Sequence, residues 1–325
     1  MTTMNTHANT HAELQLAPND QLSTAVIDVH GLSKRFGEVI AVDELSFAVP
    51  AGTVVGFLGP NGAGKTTTLR MLLGLIRPTA GTATINGRAY HELPDPLRQV
   101  GAVLEASSFH PGRTARNHLR VQALAAEVDS ARIDEVLELV DLTAAADRRV
   151  AGFSLGMRQR LGLATALLPD PEILILDEPA NGLDPEGVRW LRDLIRALAN
   201  RGRSVLVSSH ILAEVAPTVD NVVILNHGRL VTHSTLAQLT SEARPIVRVR
   251  TPQTEQLRDA LTAAGISAKI TAPERIEVTH ATNQKIATLA AERQIPIYEI
   301  TTDHLNLEDI FLELTSTENA KENSR

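Results

Sequence analysis

A glycine-rich segment that ends in a lysine and a threonine is the part of the sequence best suited to bind phosphate. Residues 59–66 read GPNGAGKT, which fits the pattern G-x-x-x-x-G-K-[ST]. Gly62 and Gly64 can adopt backbone angles that turn successive N–H groups toward one point. A helix is expected to follow, and its N-terminal end attracts anions. The segment therefore predicts a phosphate-binding loop rather than a merely flexible glycine turn.

The side chains of this loop suit a nucleoside triphosphate with its metal ion. Lys65 offers a mobile cation to the β- and γ-phosphates, and the Thr66 hydroxyl is a hard ligand for Mg²⁺. By average residue usage, a chance match occurs on the order of once in a hundred chains of this length. The expected nucleotide contacts are Gly59, Pro60, Asn61, Gly62, Ala63, Gly64, Lys65, Thr66 and Thr67.

Two adjacent acids follow a second apolar run, in the segment ILILDEP. Asp177 stands at the expected end of a buried strand, where a carboxylate can hold Mg²⁺ or its bound water. Glu178 is placed to polarise an attacking water, so we assign it the role of general base. Acids often end strands, but two of them downstream of a phosphate loop favour a hydrolytic site.

Continuous apolar runs mark the strands that must position these residues. Such runs are typical of strands buried on both faces of a sheet. They alternate with helical patterns such as VRWLRDLIRALAN (188–200). The alternation predicts an α/β fold built on a mostly parallel sheet. The runs are TVVGFL (53–58), ILILD (173–177), SVLVSS (204–209) and NVVILN (221–226).

Residues from about 105 to 168 read as a helical insertion in this sheet. Ile133, Val136, Leu137 and Val140 fall at i, i+3, i+4 and i+7, which places them on one apolar stripe of a helix. The insertion follows a short apolar run, Ala102–Leu104, that we interpret as a buried strand.

The pattern changes after about residue 242. PIVRVR (245–250) reads as a strand, and the following segments predict the order β-α-β-β-α-β, with the last strand at IPIYEIT (295–301). That order suggests a small ferredoxin-like domain. NLEDIFLELT (306–315) places Leu307, Ile310, Phe311 and Leu314 on one helical stripe. We expect this helix to pack on the domain or on a second copy rather than on a foreign partner.

Composition excludes several classes of protein. With 325 residues and 43% hydrophobic content, the chain is long enough for a large core and a small second domain. The net charge of −7 argues against a nucleic-acid surface, and the lack of cysteine excludes disulfides. No window reaches the roughly 18–20 apolar residues of a membrane-spanning helix, and the N-terminus lacks a signal peptide. We therefore expect a cytoplasmic protein that contacts a membrane only through a partner.

The order and spacing of FSLGM, ILILDEP, NGLDP and SSH resemble the ATP-binding cassette (ABC) family over roughly residues 26–240. The resemblance implies a P-loop cassette with a mostly parallel core sheet, an antiparallel β subdomain and a helical subdomain at about 105–168. Together with the change of pattern after residue 242, the predicted organisation is a flexible tail (1–24), the ATP-binding domain (25–241), the accessory domain (242–317) and a second tail (318–325).

The same resemblance assigns roles to residues outside the phosphate loop. In the family, two cassettes pair head to tail, and the signature segment of one caps the ATP held by the other. Here FSLGM supplies Ser154 and Gly156, with a helix expected from Met157 onward. Leu155 and Met157 depart from the family's Leu-Ser-Gly-Gly-Gln. The resemblance further implies a bridging Asp184, a γ-phosphate contact from the switch residue His210, and adenine stacking by Phe36, for which plain core packing is the alternative.

The acid in GAVLEASSFHP (101–111) is also open to two interpretations. Glu105 stands where the family carries the glutamine that contacts Mg²⁺ and senses the transmembrane partner. A glutamate keeps an oxygen ligand but adds a negative charge and lacks an N–H donor. We expect Glu105 to bind Mg²⁺ and to couple to the permease, with an inert loop acid as the alternative.

The predicted function is therefore that of the ATP-hydrolysing subunit of an ABC exporter. The stretch around Glu105 resembles the branch that contains bacitracin and lantibiotic exporters, which suggests an antibiotic, peptide or other amphipathic cargo. The expected partners are a second copy of the chain and a separately encoded polytopic permease at the inner face of the membrane. The alternatives are a soluble cassette protein of translation or DNA repair, and an ATP-sensing module without hydrolysis.

Overall fold

The computed structural model describes residues 25–104, 109–242, 246–279 and 281–303. Within these ranges the strands form three sheets of six, three and four strands. The strands are β1 (Ala25–Phe36), β2 (Val39–Pro50), β3 (Val54–Leu58), β4 (Ala80–Ile85), β5 (Val100–Val103), β6 (Ile173–Leu176), β7 (Ser204–Ser209), β8 (Asn221–Asn226), β9 (Arg229–Thr235), β10 (Ile246–Arg250), β11 (Ser267–Ala272), β12 (Arg275–Thr279) and β13 (Glu299–Asp303).

Helices connect most of these strands. They are α1 (Lys65–Leu72), α2 (Pro96–Gln99), α3 (Ala115–Ala125), α4 (Ala131–Leu139), α5 (Leu155–Leu167), α6 (Pro185–Ala199), α7 (Leu212–Val215), α8 (Leu236–Glu242), α9 (Thr254–Ala263) and α10 (Asn283–Glu292). In the part of the chain that the structure describes, no helix has the length and apolarity needed to cross a membrane.

The six-stranded sheet has the order β5-β6-β7-β3-β8-β9. Its first five strands run parallel, and only β9 pairs antiparallel. Every residue of β3, β6 and β7 is buried, as the continuous apolar runs predict. The expected α/β fold is thus confirmed, with β3 and β7 as central neighbours.

An antiparallel sheet of order β2-β1-β4 covers one side of this core. The resemblance implies this antiparallel β subdomain, but no sequence pattern predicts β4 itself. Its first three residues are exposed, so the segment AGTATI has too little apolar pattern to be recognised from sequence.

The helical insertion contains α3, α4 and α5. Ile133, Val136, Leu137 and Val140 are at most 3% exposed, which confirms the predicted apolar stripe. The strand before the insertion differs from expectation. It is β5, at Val100–Val103, and Ala102 is exposed because β5 is the edge strand of the sheet.

The last sheet has the order β11-β12-β10-β13, and all its strand pairs are antiparallel. Together with α9 and α10 it gives the predicted β-α-β-β-α-β order of a ferredoxin-like unit. The final strand was predicted from residue 295 but begins at Glu299, since Pro296 has no N–H to donate to a ladder. The predicted helix at 306–315 lies outside the described residues.

Two helices begin earlier than predicted. Helix α5 starts at Leu155 rather than Met157, because Ser154 is its N-cap. Helix α6 starts at Pro185 rather than Val188, since Asp184 caps it and proline is favoured at the first helical position.

Candidate functional site

The three central strands deliver the predicted residues to one edge of the parallel sheet. Strand β3 leads into the loop at 59–64, β6 ends just before Asp177, and β7 ends just before His210. Neighbouring parallel strands have their carboxyl ends on the same side, and ligands bind there in open α/β sheets. The motifs therefore meet because of the strand order.

The loop after β3 owes its shape to glycine. Gly62 and Gly64 have φ of 82° and 97°, in the region that favours glycine. A Cβ at Gly64 would lie 2.4 Å from the carbonyl oxygen of Ala41, so any side chain there would force the backbone apart. Helix α1 begins at Lys65, directly after this turn, which aims the N-terminal end of the helix at the loop.

Lys65 is 5% exposed and its ammonium is fully engaged. Nζ donates to the carbonyl oxygens of Gly59, at 2.7 Å, and Pro60, at 3.2 Å. It also lies 3.2 Å from Oε1 of Glu178. The cation is thus held within the loop and paired with the predicted general base.

Thr66 and Asp177 are joined by a hydrogen bond, which places both oxygens close enough to bind the same metal ion. The Thr66 hydroxyl donates to Oδ2 of Asp177 at 2.7 Å, and Asp177 is 7% exposed. Among the described residues, no group of three or more His, Cys, Asp or Glu side chains could hold a metal alone. One hydroxyl and one carboxylate fit Mg²⁺, which keeps several waters and takes other oxygens from substrate phosphates.

Glu178 lies between two nitrogen groups. While Oε1 faces Lys65, Oε2 is 2.8 Å from Nδ1 of His210. Glu178 has a φ of 48°, an uncommon conformation for a residue with a side chain. The structure thus brings together Lys65, Thr66, Asp177, Glu178 and His210, as the sequence predicts.

Sequence reasoning missed a sixth member of this cluster. Ser208 is fully buried, and its hydroxyl donates to Oδ1 of Asp177 at 2.5 Å. The same hydroxyl accepts the backbone N–H of Glu178 at 2.9 Å. The available signal was a pair of serines, Ser208 and Ser209, at the end of a buried strand with an apolar centre.

The signature segment is built differently. Ser154 is exposed and accepts the N–H of Met157 at 3.2 Å, while Leu155 is 56% exposed. Leu155 packs against Gly182, where an added Cβ would lie 2.2 Å from Cδ2 of Leu155. Among the described residues, no hydrogen bond joins this segment to the phosphate loop. Asp184 accepts the N–H of Gly187 at 2.8 Å and so caps its own helix.

Comparisons with known proteins agree with this arrangement. The sequence model of the ABC transporter family matches residues 42–181. The bacitracin transport ATP-binding protein BcrA of Bacillus licheniformis is 39% identical over 90% of this chain and 97% of its own length. The chain belongs to the ABC transporter family.

Two further relatives of this ABC chain are informative. The Nod factor export ATP-binding protein I of Burkholderia orbicola (strain AU 1054) is 35% identical, over 91% of this chain and 99% of its own. A dimeric ATP-binding cassette in a post-hydrolysis state, bound to ADP and Pi, has a TM-score of 0.59 at 23% identity. The alignment covers 65% of this chain and 98% of the length of that structure. By its family, the chain is an ATP-binding, ATP-hydrolysing subunit of a transporter.

The C-terminal unit of this ABC subunit matches a second family. Residues 245–308 match a domain of unknown function (DUF8746). The match covers the four-stranded sheet with α9 and α10. It supplies no chemistry, in keeping with the lack of a recognisable motif there.

Two remaining site predictions have different outcomes. Phe36 is 49% exposed, and Nζ of Lys34 lies 4.9 Å from the centre of its ring. Plain core packing, one of the two interpretations of Phe36, is therefore wrong. Glu105 lies outside the described residues.

Proposed function

We propose that this subunit hydrolyses MgATP with the residues gathered at the carboxyl edge of β3, β6 and β7. The observation that carries the proposal is the position of Glu178, between the ammonium of Lys65 and the imidazole of His210. Loop residues 59–67 would hold the phosphates through backbone N–H groups and the α1 N-terminus. Thr66 and Asp177 would hold Mg²⁺, which, when bound, neutralises the charge that develops on the phosphates.

In this proposal Glu178 takes the proton of the attacking water. A phosphate in the loop competes with Glu178 for Lys65, which releases Oε1 to accept that proton. His210 keeps Oε2 oriented through Nδ1 and would contact the γ-phosphate. Because Glu178 is largely buried, few waters can reach its carboxylate, which can then act on a single water molecule.

We further propose that the signature segment acts on the ATP of a second copy. Ser154 and Gly156 are well placed for this, since the segment is exposed and its helix presents a positive N-terminal end. The solved relative is itself a dimer. Asp184, at the start of α6, would bridge the two copies, and Phe36 would stack on adenine.

The proposed partner is a separately encoded permease at the inner face of the membrane. Helix α3 presents Val121 and Leu124 with exposures of 42% and 76%, an apolar surface that a partner could cover. Two relatives of similar identity are named for bacitracin transport and Nod factor export. We propose export of an antibiotic, peptide or other amphipathic compound.

The proposed division of the chain is a cassette at 25–241 and an accessory domain at 242–317. In this scheme, ATP closes the cassette dimer and hydrolysis reopens it, which moves the permease between two states. Glu105 would couple the site to that partner.

Affinity purification of the tagged full chain from gently solubilised host membranes tests the partner. We expect a polytopic membrane protein in near-equal amount, and loss of that protein when Leu124 is replaced by Asp. A matched control is Leu75→Asp, at an apolar residue outside α3 that is 65% exposed, against 76% for Leu124. Ribosomal or DNA-repair companions without a membrane protein would contradict the transport proposal but leave the ATPase core intact.

A further inference from the structure

Ser208 occupies a position where the fold alone favours an apolar residue. It lies in β7, which has β6 on one side and β3 on the other, and no part of it is exposed. The three preceding residues are Val205, Leu206 and Val207. A hydroxyl at such a depth is unfavourable unless its hydrogen bonds are made.

Both hydrogen-bonding functions of the Ser208 hydroxyl are used, and both partners are acids of the site. Oγ donates to Oδ1 of Asp177 at 2.5 Å and accepts the backbone N–H of Glu178 at 2.9 Å. One buried atom therefore holds two successive residues with different proposed roles.

The bond to Asp177 fixes the rotation of that carboxylate. With Oδ1 held by Ser208, Oδ2 faces the Thr66 hydroxyl at 2.7 Å. Groups that orient a metal ligand from behind set its direction and basicity. Without the serine, the carboxylate can rotate away from the line that joins it to Thr66.

The bond to Glu178 supports an uncommon backbone conformation. The φ of 48° turns the side chain of Glu178 toward Lys65 and His210 rather than along the strand direction. Since the Ser208 hydroxyl accepts the N–H at this point, it stabilises the turn that aims the carboxylate.

We propose that Ser208 is a positioning residue for ATP hydrolysis, which sets the direction of the Asp177 carboxylate and of the Glu178 backbone together. The inference rests on the proposed roles of these two acids. It adds a distinct claim, namely that the hydroxyl two residues before His210 is required for turnover although it touches neither phosphate nor water.

The test compares Ser208→Ala with a matched variant of the same strand in the full chain. Ser204 is 3% exposed, lies four residues earlier on the same face of β7, and accepts the N–H of Gly52 at 2.9 Å. Ser204→Ala thus also loses a buried hydroxyl, but one about 13 Å along the strand from Ser208. ATP turnover, KM for ATP and the Mg²⁺ concentration for half-maximal turnover are measured for each variant.

For Ser208→Ala we expect kcat to fall about 10–100-fold and the required Mg²⁺ to rise, as for other residues that orient metal ligands. KM for ATP should change less, since Ser208 does not touch the loop. Ser208→Thr, which retains a hydroxyl, should recover most of the turnover, and Ser204→Ala should resemble the wild-type chain. If Ser208→Ala does not fold, Ser208→Cys, a weak donor and acceptor of similar size, replaces it.

Two results would overturn the inference. One is a Ser208→Ala chain whose kcat and Mg²⁺ dependence match those of Ser204→Ala. The other is a loss of turnover that Ser208→Thr shares fully, which would indicate packing rather than the hydroxyl. Glu178→Gln in the same assay distinguishes a failure of the inference about Ser208 from a failure of the proposed function, because normal turnover of that variant would refute the proposed site itself.

Discussion

The phosphate loop and the signature segment differ in how far a single chain completes them. Lys65 and Asp177 are 5% and 7% exposed, and their polar atoms have partners within the chain. Ser154 is exposed, Leu155 is 56% exposed, and the polar groups there cap only their own helix. We call the phosphate loop with Lys65 and Asp177 the finished half of the site, because its polar atoms are already paired. The signature segment at 153–157 is the unfinished half, because its exposed surface has no partner in the other half among the described residues.

The two regions also differ in the room that they leave for a side chain at a glycine position. A side chain added at Gly64 meets the Ala41 carbonyl at 2.4 Å, whereas one added at Gly156 meets its neighbours at 3.4 Å. The first glycine is required by the fold of the chain. The second is not, so any strict need for glycine at 156 must come from something that approaches from outside.

The largest expected effect is on the finished half. Lys65→Ala removes the cation proposed to face the phosphates and breaks its ion pair with Glu178, which keeps only His210 as a partner. We expect kcat/KM for ATP to fall by about 10²–10³-fold, as when a preorganised donor to a developing charge is lost. Steady-state phosphate release checks this, with Lys269→Ala, at an exposed lysine of β11, as the control. Near-normal turnover would remove Lys65 from the site.

A smaller effect is expected at the unfinished half. Gly156→Asp places a negative charge in the first turn of α5, which a helix N-terminus accepts. The thermal unfolding midpoint should therefore stay unchanged, whereas turnover should fall at least about tenfold through repulsion of the partner's phosphate. The control is Gly152→Asp, since nothing lies within 4 Å of an added Cβ there. Equal turnover of the two variants would argue against a role for the signature segment.

The smallest effect on ATP turnover is expected at Phe36, at the edge of the proposed nucleotide site. Phe36→Ala removes a half-exposed ring and should weaken ATP binding by about 1 kcal/mol, near the low end for base stacking. KM for ATP should rise roughly fivefold with kcat retained. Val39→Ala, which truncates a 65% exposed residue at the start of β2, is the comparison. A KM that Phe36→Ala leaves unchanged would exclude adenine stacking.

Much of the finished half could be predicted from the sequence, because its signals are local. Continuous apolar runs predicted β3, β6 and β7, and the loop pattern fixed the place of Lys65 and Thr66. The parallel order of the strands then brought Asp177, Glu178 and His210 together.

The rest depended on contacts between distant segments. Ser208 carries no signal by itself, since its partners Asp177 and Glu178 are about thirty residues away in sequence. The left-handed conformation of Glu178 could not be predicted from its residue type, since residues with a side chain seldom adopt it. Strand β4 lacked an apolar pattern because half of it faces solvent.

Mixing the two impaired variants, Lys65→Ala and Gly156→Asp, tests the central claim most directly. If ATP is bound between the loop of one copy and the signature of another, a Lys65→Ala chain and a Gly156→Asp chain form one intact site per mixed dimer. We expect a 1:1 mixture to regain turnover, up to about a quarter of the wild-type rate when copies exchange freely. A mixture no more active than the two variants assayed separately would contradict a site shared between two copies.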